Sequence, residues 1–262
     1  MGIDGLALLA LCGFVAGFID ALAGGGGLLT VPALALAGLD PVSVIATNKL
    51  ASCFGSGSST LAFARAGKID LKLMGLAALG AGFGSVLGAL SLPFAPRQAF
   101  SDALPFILVA VALYFAFSAR LTDSNRAAHM PPTILAVTIA PLIGFYDGVF
   151  GPGAGSFYVA GFAGLAGFGL TRAVAGARLA NFASNLGALL VYAFSGQIVV
   201  AAGLAMGLGG FVGAQLGART ALRGGARLLR PLIVIASCLL ALRLATLPGA
   251  PLRRLVFSLL SN

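Results

Sequence analysis

Two cations lie deep inside apolar stretches of the sequence, where a charge is unusual. Lys49 and Arg178 each stand about six residues inside an apolar segment, which places them ~9 Å along a helix axis. A charge at this depth costs ~2.5 to 3.5 kcal/mol, so each must face an aqueous cavity or a counter-charge. Neutral hydrogen-bonding residues accompany them: Thr47, Asn48, Ser52, Asn181, Ser184 and Asn185. Donors beside an unpaired positive charge predict a binding site for an oxyanion.

Two aspartates, Asp20 and Asp147, are the acids that lie deep in apolar segments. Because burial disfavours the charged form of a carboxyl group, they are candidate proton carriers. A second interpretation is structural, with each carboxylate accepting hydrogen bonds from the backbone of the glycine turn that follows it. They would also serve as counter-charges for Lys49 and Arg178, which could otherwise extend to a membrane interface. The sequence leaves these alternatives open.

Glycine clusters follow both aspartates directly, at residues 24–27 and 151–155. Each cluster precedes a short apolar segment, and helix N-termini attract anions. Gly25, Gly26 and Gly153 are therefore predicted to offer backbone N–H groups to the anion. The alternative is that the clusters only allow helices to pack closely. The G-x-x-x-G rows at residues 80–88 and 209–217 lie in the middle of segments and are predicted packing surfaces.

These residues recur because the sequence contains an internal duplication. The pattern G-F-x-D-x-x-x-G-x-G occurs at residues 17–26 and again at residues 144–153. Three further blocks follow in the same order and at a nearly constant offset: residues 49–51 with 178–180, 67–69 with 196–198, and 80–89 with 209–218. Ordered agreement of several blocks indicates a repeat, in which Lys49 matches Arg178 and Asp20 matches Asp147.

The elements that position these residues are predicted to be membrane helices. Of the 262 residues, 59% are hydrophobic and 9% are charged, and the mean hydropathy is +1.04, which excludes an ordinary soluble domain. The predicted segments are residues 4–23, 25–38, 43–65, 70–92, 102–120, 131–150, 154–168, 173–194, 199–219 and 231–247. Those at 25–38 and 154–168 are too short to span, and they read as half-helices that either cross or re-enter. The predicted fold class is an all-α polytopic membrane protein with about 8–10 membrane segments.

Loop charges predict that the two repeats are inverted in the membrane. The loop at residues 65–72 is basic, whereas its counterpart at residues 195–199 carries no charge. Conversely, a predicted loop of the second half carries four arginines: Arg219, Arg223, Arg227 and Arg230. Its counterpart in the first half has only Arg97. By the positive-inside rule, equivalent loops then lie on opposite sides. The predicted organisation is a first membrane repeat over 1–120, a cytoplasmic linker over 121–132 and a second membrane repeat over 133–262.

The net charge of +9 does not indicate nucleic-acid binding, because the basic residues sit mostly in short gaps between apolar runs. The sequence has no Glu, its single His129 lies in the polar linker, and its three cysteines show no C-x-x-C spacing. No metal site, disulfide framework or other cofactor is predicted. The expected partners are a small anionic substrate and the lipid bilayer, and a homodimer is left open.

The two G-F-x-D-x-x-x-G-x-G blocks, the Thr47-Asn48-Lys49 block and the duplicated layout resemble the TauE/SafE sulfite exporter family over essentially the whole chain. The resemblance implies a bacterial inner-membrane, multi-pass secondary transporter that exports sulfite, organosulfonates or related small organic anions. Inverted repeats with broken helices would place the site near the midplane between them. Two features depart from the family pattern: Ala154 interrupts the second glycine run, and Arg178 stands where lysine is equally expected.

Two other classes of function remain as alternatives. One is a passive anion channel or a non-transporting membrane assembly factor, and the other is an intramembrane aspartyl protease that uses Asp20 and Asp147. Tyr146-Asp147 matches one half of the protease signature, but the G-x-G-D half is missing, since Asp20 follows Ile19. A protease requires two carboxylates close enough to share a proton, whereas a carrier is expected to line one cavity with Lys49 and Arg178.

Overall fold

The computed structural model describes residues 2–94, 124–125 and 127–246, with side chains up to residue 224 except that of residue 93. Within these ranges the chain forms helices and short connections, and it has no strand. The α-helices are α1 Ile3–Ala23, α2 Gly27–Leu36, α3 Pro41–Arg65, α4 Leu71–Ser91, α5 Pro132–Val137, α6 Ile139–Val149, α7 Ala154–Ala160, α8 Leu170–Ala193 and α9 Val200–Thr246. A 3-10 turn, Leu92–Phe94, follows α4, and a π-helical turn, Gly161–Leu165, follows α7. The prediction of an all-helical fold is confirmed.

Five helical stretches of the described residues are long and apolar enough to cross a membrane: Ile3–Ala23, Leu71–Ser91, Pro132–Val149, Leu170–Ala193 and Val200–Gly224. Three predicted segments require comment. The one at residues 102–120 lies outside the described residues. Those at 199–219 and 231–247 are joined in the single helix α9, so the arginine-rich loop predicted between them is wrong. Its residues continue the helix because arginine, alanine and leucine are strong helix formers.

Helix α3, which carries Lys49, begins at a well-defined cap. Asp40 Oδ1 accepts hydrogen bonds from the backbone N–H groups of Val42 at 3.1 Å and Ser43 at 3.2 Å, and Pro41 occupies the first turn. These bonds satisfy N–H groups that have no partner within the helix. Hydrogen bonding to Ser43 lowers the pKa of the Asp40 carboxyl group. The cap therefore fixes where α3 starts and the height at which Lys49 lies.

Two glycine-lined contacts each bring a helix of one half against a helix of the other. Helix α1 packs on α9, and α6 packs on α4. A Cβ on Gly213 would collide with the carbonyl oxygen of Phe14, and a Cβ on Gly84 would collide with that of Pro141. Gly84 and Gly213 are equivalent positions of the duplication. The prediction that both G-x-x-x-G rows are packing surfaces is confirmed, since backbones touch where side chains are absent.

Adding a methyl group to either glycine row should destabilise the protein. We expect Gly84→Ala and Gly213→Ala each to lower stability by about 1–3 kcal/mol, because overpacking must push two backbones apart. The measurement is the melting temperature of the detergent-purified protein. Gly75→Ala on the same helix α4 is the matched control, since a Cβ there meets nothing within 4 Å. Equal melting temperatures for Gly84→Ala and Gly75→Ala would contradict this account of the contact.

Helices α3 and α8, which are counterparts in the duplication, pack against each other in opposite directions. Near the start of α3, Ala46 shares an apolar cluster with Ala188 and Tyr192 near the end of α8. Near the end of α3, Phe63 shares another with Leu170 at the start of α8. Opposite directions are what inverted repeats require, and the side of the membrane that each end faces stays a prediction.

The short helix α2 reverses direction after the glycine turn and returns toward the end of the bundle from which α1 comes. Its Leu34 packs in one apolar cluster with Leu9 of α1 and Val44 at the start of α3. With 10 residues, α2 extends ~15 Å, about half of a hydrocarbon core. Of the two options left open by the sequence, the structure favours a re-entrant hairpin for this segment.

A topology experiment follows from these directions. Ser43 at the start of α3 donates to Gln197 at 3.3 Å, whereas residue 70 follows the far end of this 25-residue helix. We expect a reporter at residue 70 to be cytoplasmic and one at residue 197 to be on the opposite side, as read by cysteine labelling in intact cells. Labelling of both positions from the same side would contradict the inverted arrangement.

Candidate functional site

Two buried ion pairs connect the halves of the chain. Lys49 Nζ donates to Asp147 Oδ1 at 2.7 Å, and Arg178 Nη1 donates to Asp20 Oδ2 at 2.9 Å. The side chains of Lys49 and Arg178 are 0% exposed, against 2% for Asp147 and 16% for Asp20. The expectation of unpaired positive charge is therefore wrong, and the alternative of neutralisation by the aspartates is observed. A buried cation without a partner would be strongly unfavourable.

Arg178 binds more than one group around its carboxylate. Its Nη1 also donates to the backbone oxygen of Asp20 at 2.6 Å, and its Nη2 donates to the backbone oxygen of Gly155 at 3.3 Å. Its buried Nε has no hydrogen-bond partner among the described residues. The planar guanidinium thus connects the end of α1 to the second glycine cluster, a task that suits its fixed fork of donors.

The two aspartates differ in how their remaining oxygens are used. Asp20 Oδ1 accepts a hydrogen bond from the Gly26 backbone N–H at 3.0 Å, so the interpretation of this residue as a cap of the glycine turn is confirmed. Asp147 Oδ2 instead accepts a short hydrogen bond from the Ser184 hydroxyl. The capping interpretation is wrong for Asp147, because both of its recorded hydrogen bonds come from side chains.

The two glycine clusters meet in the interior of the bundle. Ser156 donates to the backbone oxygen of Ala23 at 2.7 Å, and a Cβ added to Gly155 would lie 2.8 Å from the Cα of Gly24. Gly24 and Gly153 have φ values of 84° and 85°, a region that favours glycine. Close backbone packing, the alternative interpretation of the clusters, is therefore present in the structure.

A polar cavity of about 520 Å³, a volume that includes space open to solvent, lies beside the ion pairs. Its polar side chains come from both halves: Asp20, Thr30, Asn48, Ser52, Ser56, Asp147, Asn181 and Asn185. Three pairs of these polar positions are matched across the duplication: Asp20 with Asp147, Ser52 with Asn181 and Ser56 with Asn185. Gly26 and Gly153 also line the cavity. The duplication thus supplies both walls of one chamber.

Lys49 and Arg178 do not line this cavity. Each is fully buried and bound to a carboxylate that does line it, so the expectation that the cations themselves form the wall is wrong. The physical reason is that a cation satisfied by a buried carboxylate does not need water. Direct binding of the transported anion by these two residues stays a prediction.

Other predicted site residues lie outside the cavity wall. Thr47 is buried and its Oγ1 accepts a hydrogen bond from the Val199 backbone N–H at 3.0 Å, which joins α3 to the connection before α9. Gly25 accepts a hydrogen bond from the backbone N–H of Leu28 at 3.1 Å. Ser184 contacts the site through Asp147.

The sequence interpretation missed Thr30 and Ser56. Thr30 Oγ1 donates to Asn48 Oδ1 at 2.5 Å, which leaves the Asn48 amide group as the donor at the cavity wall. The available signal for Thr30 was its position as the sole hydroxyl residue of the short helix α2. Ser56 could have been found as the repeat counterpart of Asn185.

The geometry of the carboxylates does not fit an aspartyl protease. The recorded hydrogen bonds of Asp20 come from Gly26 and Arg178, and those of Asp147 come from Lys49 and Ser184. A catalytic dyad instead has two carboxylates that share one proton. Each aspartate here is engaged by its own cation.

An all-helical chain with five candidate spans, a re-entrant hairpin and a polar chamber between its halves defines a membrane transporter. The chain belongs to the family described as Sulfite exporter TauE/SafE, which matches residues 9–244. It is 48% identical to the Sinorhizobium sp. "Probable membrane transporter protein ORF9", with 95% of each chain covered.

Two further relatives carry similar descriptions. The Escherichia coli (strain K12) "Probable membrane transporter protein YfcA" is 41% identical, over 91% of this chain and 89% of the relative. A Haemophilus influenzae "Probable membrane transporter protein" is 39% identical, over 93% and 96%. No solved structure gives a significant match to the chain.

Proposed function

We propose that this transporter is a secondary carrier of small oxyanions such as sulfite and organosulfonates, that it acts in the bacterial inner membrane and that it works in export. The observation that carries the proposal is the chamber between the halves, whose walls carry asparagine side chains from both copies of the repeat and hydroxyl groups from the first. The family description, which refers to sulfite export, supports the choice of substrate class.

The chamber offers donors of the kind that bind a small oxyanion. Asn48 and Asn181 carry amide groups at the wall, and Ser52 carries a hydroxyl group. Asn185 and Ser56 also line the wall, but the Asn185 amide donates to the backbone oxygen of Asn181 at 2.8 Å and the Ser56 hydroxyl donates to that of Ser52 at 2.6 Å. An oxyanion has several acceptor oxygens, which such donors can bind at once. Lys49 and Arg178 lie immediately behind the carboxylates of the wall and contribute positive potential to the chamber.

The same chamber supports proton coupling of transport. Asp20 and Asp147 are its two ionisable wall residues, and the four charged groups sum to zero. An anion that enters a neutral chamber adds a negative charge beside two carboxylates, which is unfavourable in a low-dielectric site. Uptake of a proton with the anion removes that cost. We therefore propose that the carrier moves its anion together with a proton, and that export is driven by the outward gradient of the anion.

Flux measurements in proteoliposomes test the proposal. We expect the purified protein to move sulfite and ethanesulfonate, and internal substrate to accelerate uptake by exchange, as a carrier does and a passive channel does not. Asn181→Ala should raise the concentration for half-maximal flux about tenfold, the value of one hydrogen bond to a charged group. Thr220→Ala, an exposed residue whose hydroxyl bonds to its own helix, is the control. Absence of flux for every anion would contradict the proposal.

A further inference from the structure

The two ion pairs of the chamber are equivalent in the duplication but unequal in chemistry. Both oxygens of Asp20 accept from groups that can only donate, the Gly26 backbone N–H and the Arg178 guanidinium. One oxygen of Asp147 accepts from Lys49, and the other accepts from the Ser184 hydroxyl. A hydroxyl group can both donate and accept. Only the second pair therefore contains a partner that can reverse its hydrogen bond.

This difference decides which carboxylate can take up a proton at low cost. A proton on either oxygen of Asp20 weakens a hydrogen bond from a group that cannot accept one in return. A proton on Asp147 Oδ2 can be donated to Ser184 Oγ once that hydroxyl turns away.

The groups around Asp147 are consistent with a proton-accepting role. Lys49 and Cys53 face it from α3, Tyr146 precedes it on α6, and Tyr158 faces it from α7. Tyr158 also lies against the Ser184 hydroxyl, so Ser184 has a second hydrogen-bonding neighbour when it turns. Lys49 is the one cation among these groups. It sits on a flexible stem whose three donors rotate, unlike the rigid fork of Arg178.

We propose that Asp147, and not Asp20, takes up the proton that accompanies the transported anion, while Asp20 and Arg178 form a permanent ionic tie between the halves. The inference rests on the proposed function. The proton comes from water in the chamber and adds to Oδ2 of the Asp147 carboxylate, so the four charged groups change from a net charge of zero to +1. Lys49 then lacks its counter-charge, and one monovalent anion in the chamber restores neutrality. One proton and one anion move together, without net charge.

The test measures protons moved per anion, with ethanesulfonate as the probe because its sulfonate group stays ionised throughout the working pH range. A pH-sensitive dye inside the vesicles reports proton uptake. We expect one proton per anion for the wild type and none for Asp147→Asn, with at least a tenfold loss of stimulation by a pH gradient. Asp40→Asn is the matched control, since asparagine caps α3 as well as aspartate does.

A second variant keeps the proposal testable if Asp147→Asn does not fold. Ser184→Ala removes the hydroxyl that donates to the Asp147 carboxylate, and because this bond is stronger to the charged form than to the neutral form, we expect the pH of half-maximal flux to rise by about one unit. An unchanged pH profile in Ser184→Ala would overturn the proposal. Wild-type proton uptake by Asp147→Asn would overturn it as well.

Failure of this inference is distinct from failure of the proposed function. If the wild type moves neither ethanesulfonate nor sulfite, the proposed function is wrong. If it moves them in response to voltage and carries no proton, the carrier function stands and the role of Asp147 is refuted. If sulfite alone is carried, proton uptake per sulfite is compared between wild type and variants, so that protonation of sulfite itself cancels.

Discussion

Lys49→Met is expected to lower the stability of the protein by about 3–5 kcal/mol, because it leaves the buried Asp147 carboxylate without its cation. Methionine has nearly the length of lysine, so little packing is lost. The remaining hydrogen bond from Ser184 does not compensate a full charge. The melting temperature and the monodisperse yield of the detergent-purified protein measure the effect.

A double variant separates loss of the ion pair from loss of packing. Lys49→Met combined with Asp147→Asn removes both charges, and it should recover most of the stability, since a neutral pair of similar volume replaces the ion pair. Lys68→Met, in the exposed connection after α3, is the control and should match the wild type. If Lys49→Met alone is as stable as Lys68→Met, Lys49 is not held by Asp147.

Arg178→Met is expected to be the most damaging single change at the site. It removes the cation of Asp20 and also the donors to two backbone oxygens, those of Asp20 and Gly155. We expect a loss of about 3–5 kcal/mol in stability and no measurable flux, since both glycine clusters lose their common partner. Thermal unfolding and sulfite flux are the two measurements.

Charge-conserving exchanges refine this prediction. Arg178→Lys keeps the charge, but the single ammonium group of lysine cannot bind several oxygens at once as the planar guanidinium does. We therefore expect a smaller loss of stability, about 1–3 kcal/mol. Lys49→Arg should be harmful because the guanidinium is larger than the ammonium group and the space around Lys49 Nζ is narrow. Even a Cβ added to Gly151 would lie only 3.0 Å from that atom. Equal tolerance of arginine and lysine at both positions would show that charge alone matters.

The sequence predicted the duplication and the matched residues, but not which acid meets which cation. Lys49 matches Arg178 and Asp20 matches Asp147, and this pattern is compatible with pairing inside each half or between halves. The structure shows pairing between halves. Repeat alignment reports equivalence of positions and holds no information about distance. From the sequence alone, Lys49→Met is expected to be tolerated, because it removes the cost of desolvating a charge. The buried partner Asp147 reverses that expectation, because the substitution leaves its carboxylate without a cation.

Helix boundaries were predictable where polar residues interrupt apolar runs, as at the cap formed by Asp40. They were not predictable where charge and helix propensity disagree. Arginines at residues 219–230 indicated a loop, yet the backbone stays helical because these residues also favour helix. The packing role of the glycine rows was readable, since only close backbone approach explains glycine at that spacing.

The packing of α1 on α9 and of α6 on α4 has a consequence for biosynthesis. Phe14 of α1 rests on Gly213 of α9, so α1 leaves the ribosome long before its partner exists, whereas α6 finds α4 already inserted. A helix that waits in lipid must be stable there alone. The mean hydropathy of α1 is 2.2, the highest of the five candidate spans in the described residues, against 1.4 for its counterpart Pro132–Val149. The higher hydropathy of α1 agrees with its earlier place in the order of synthesis.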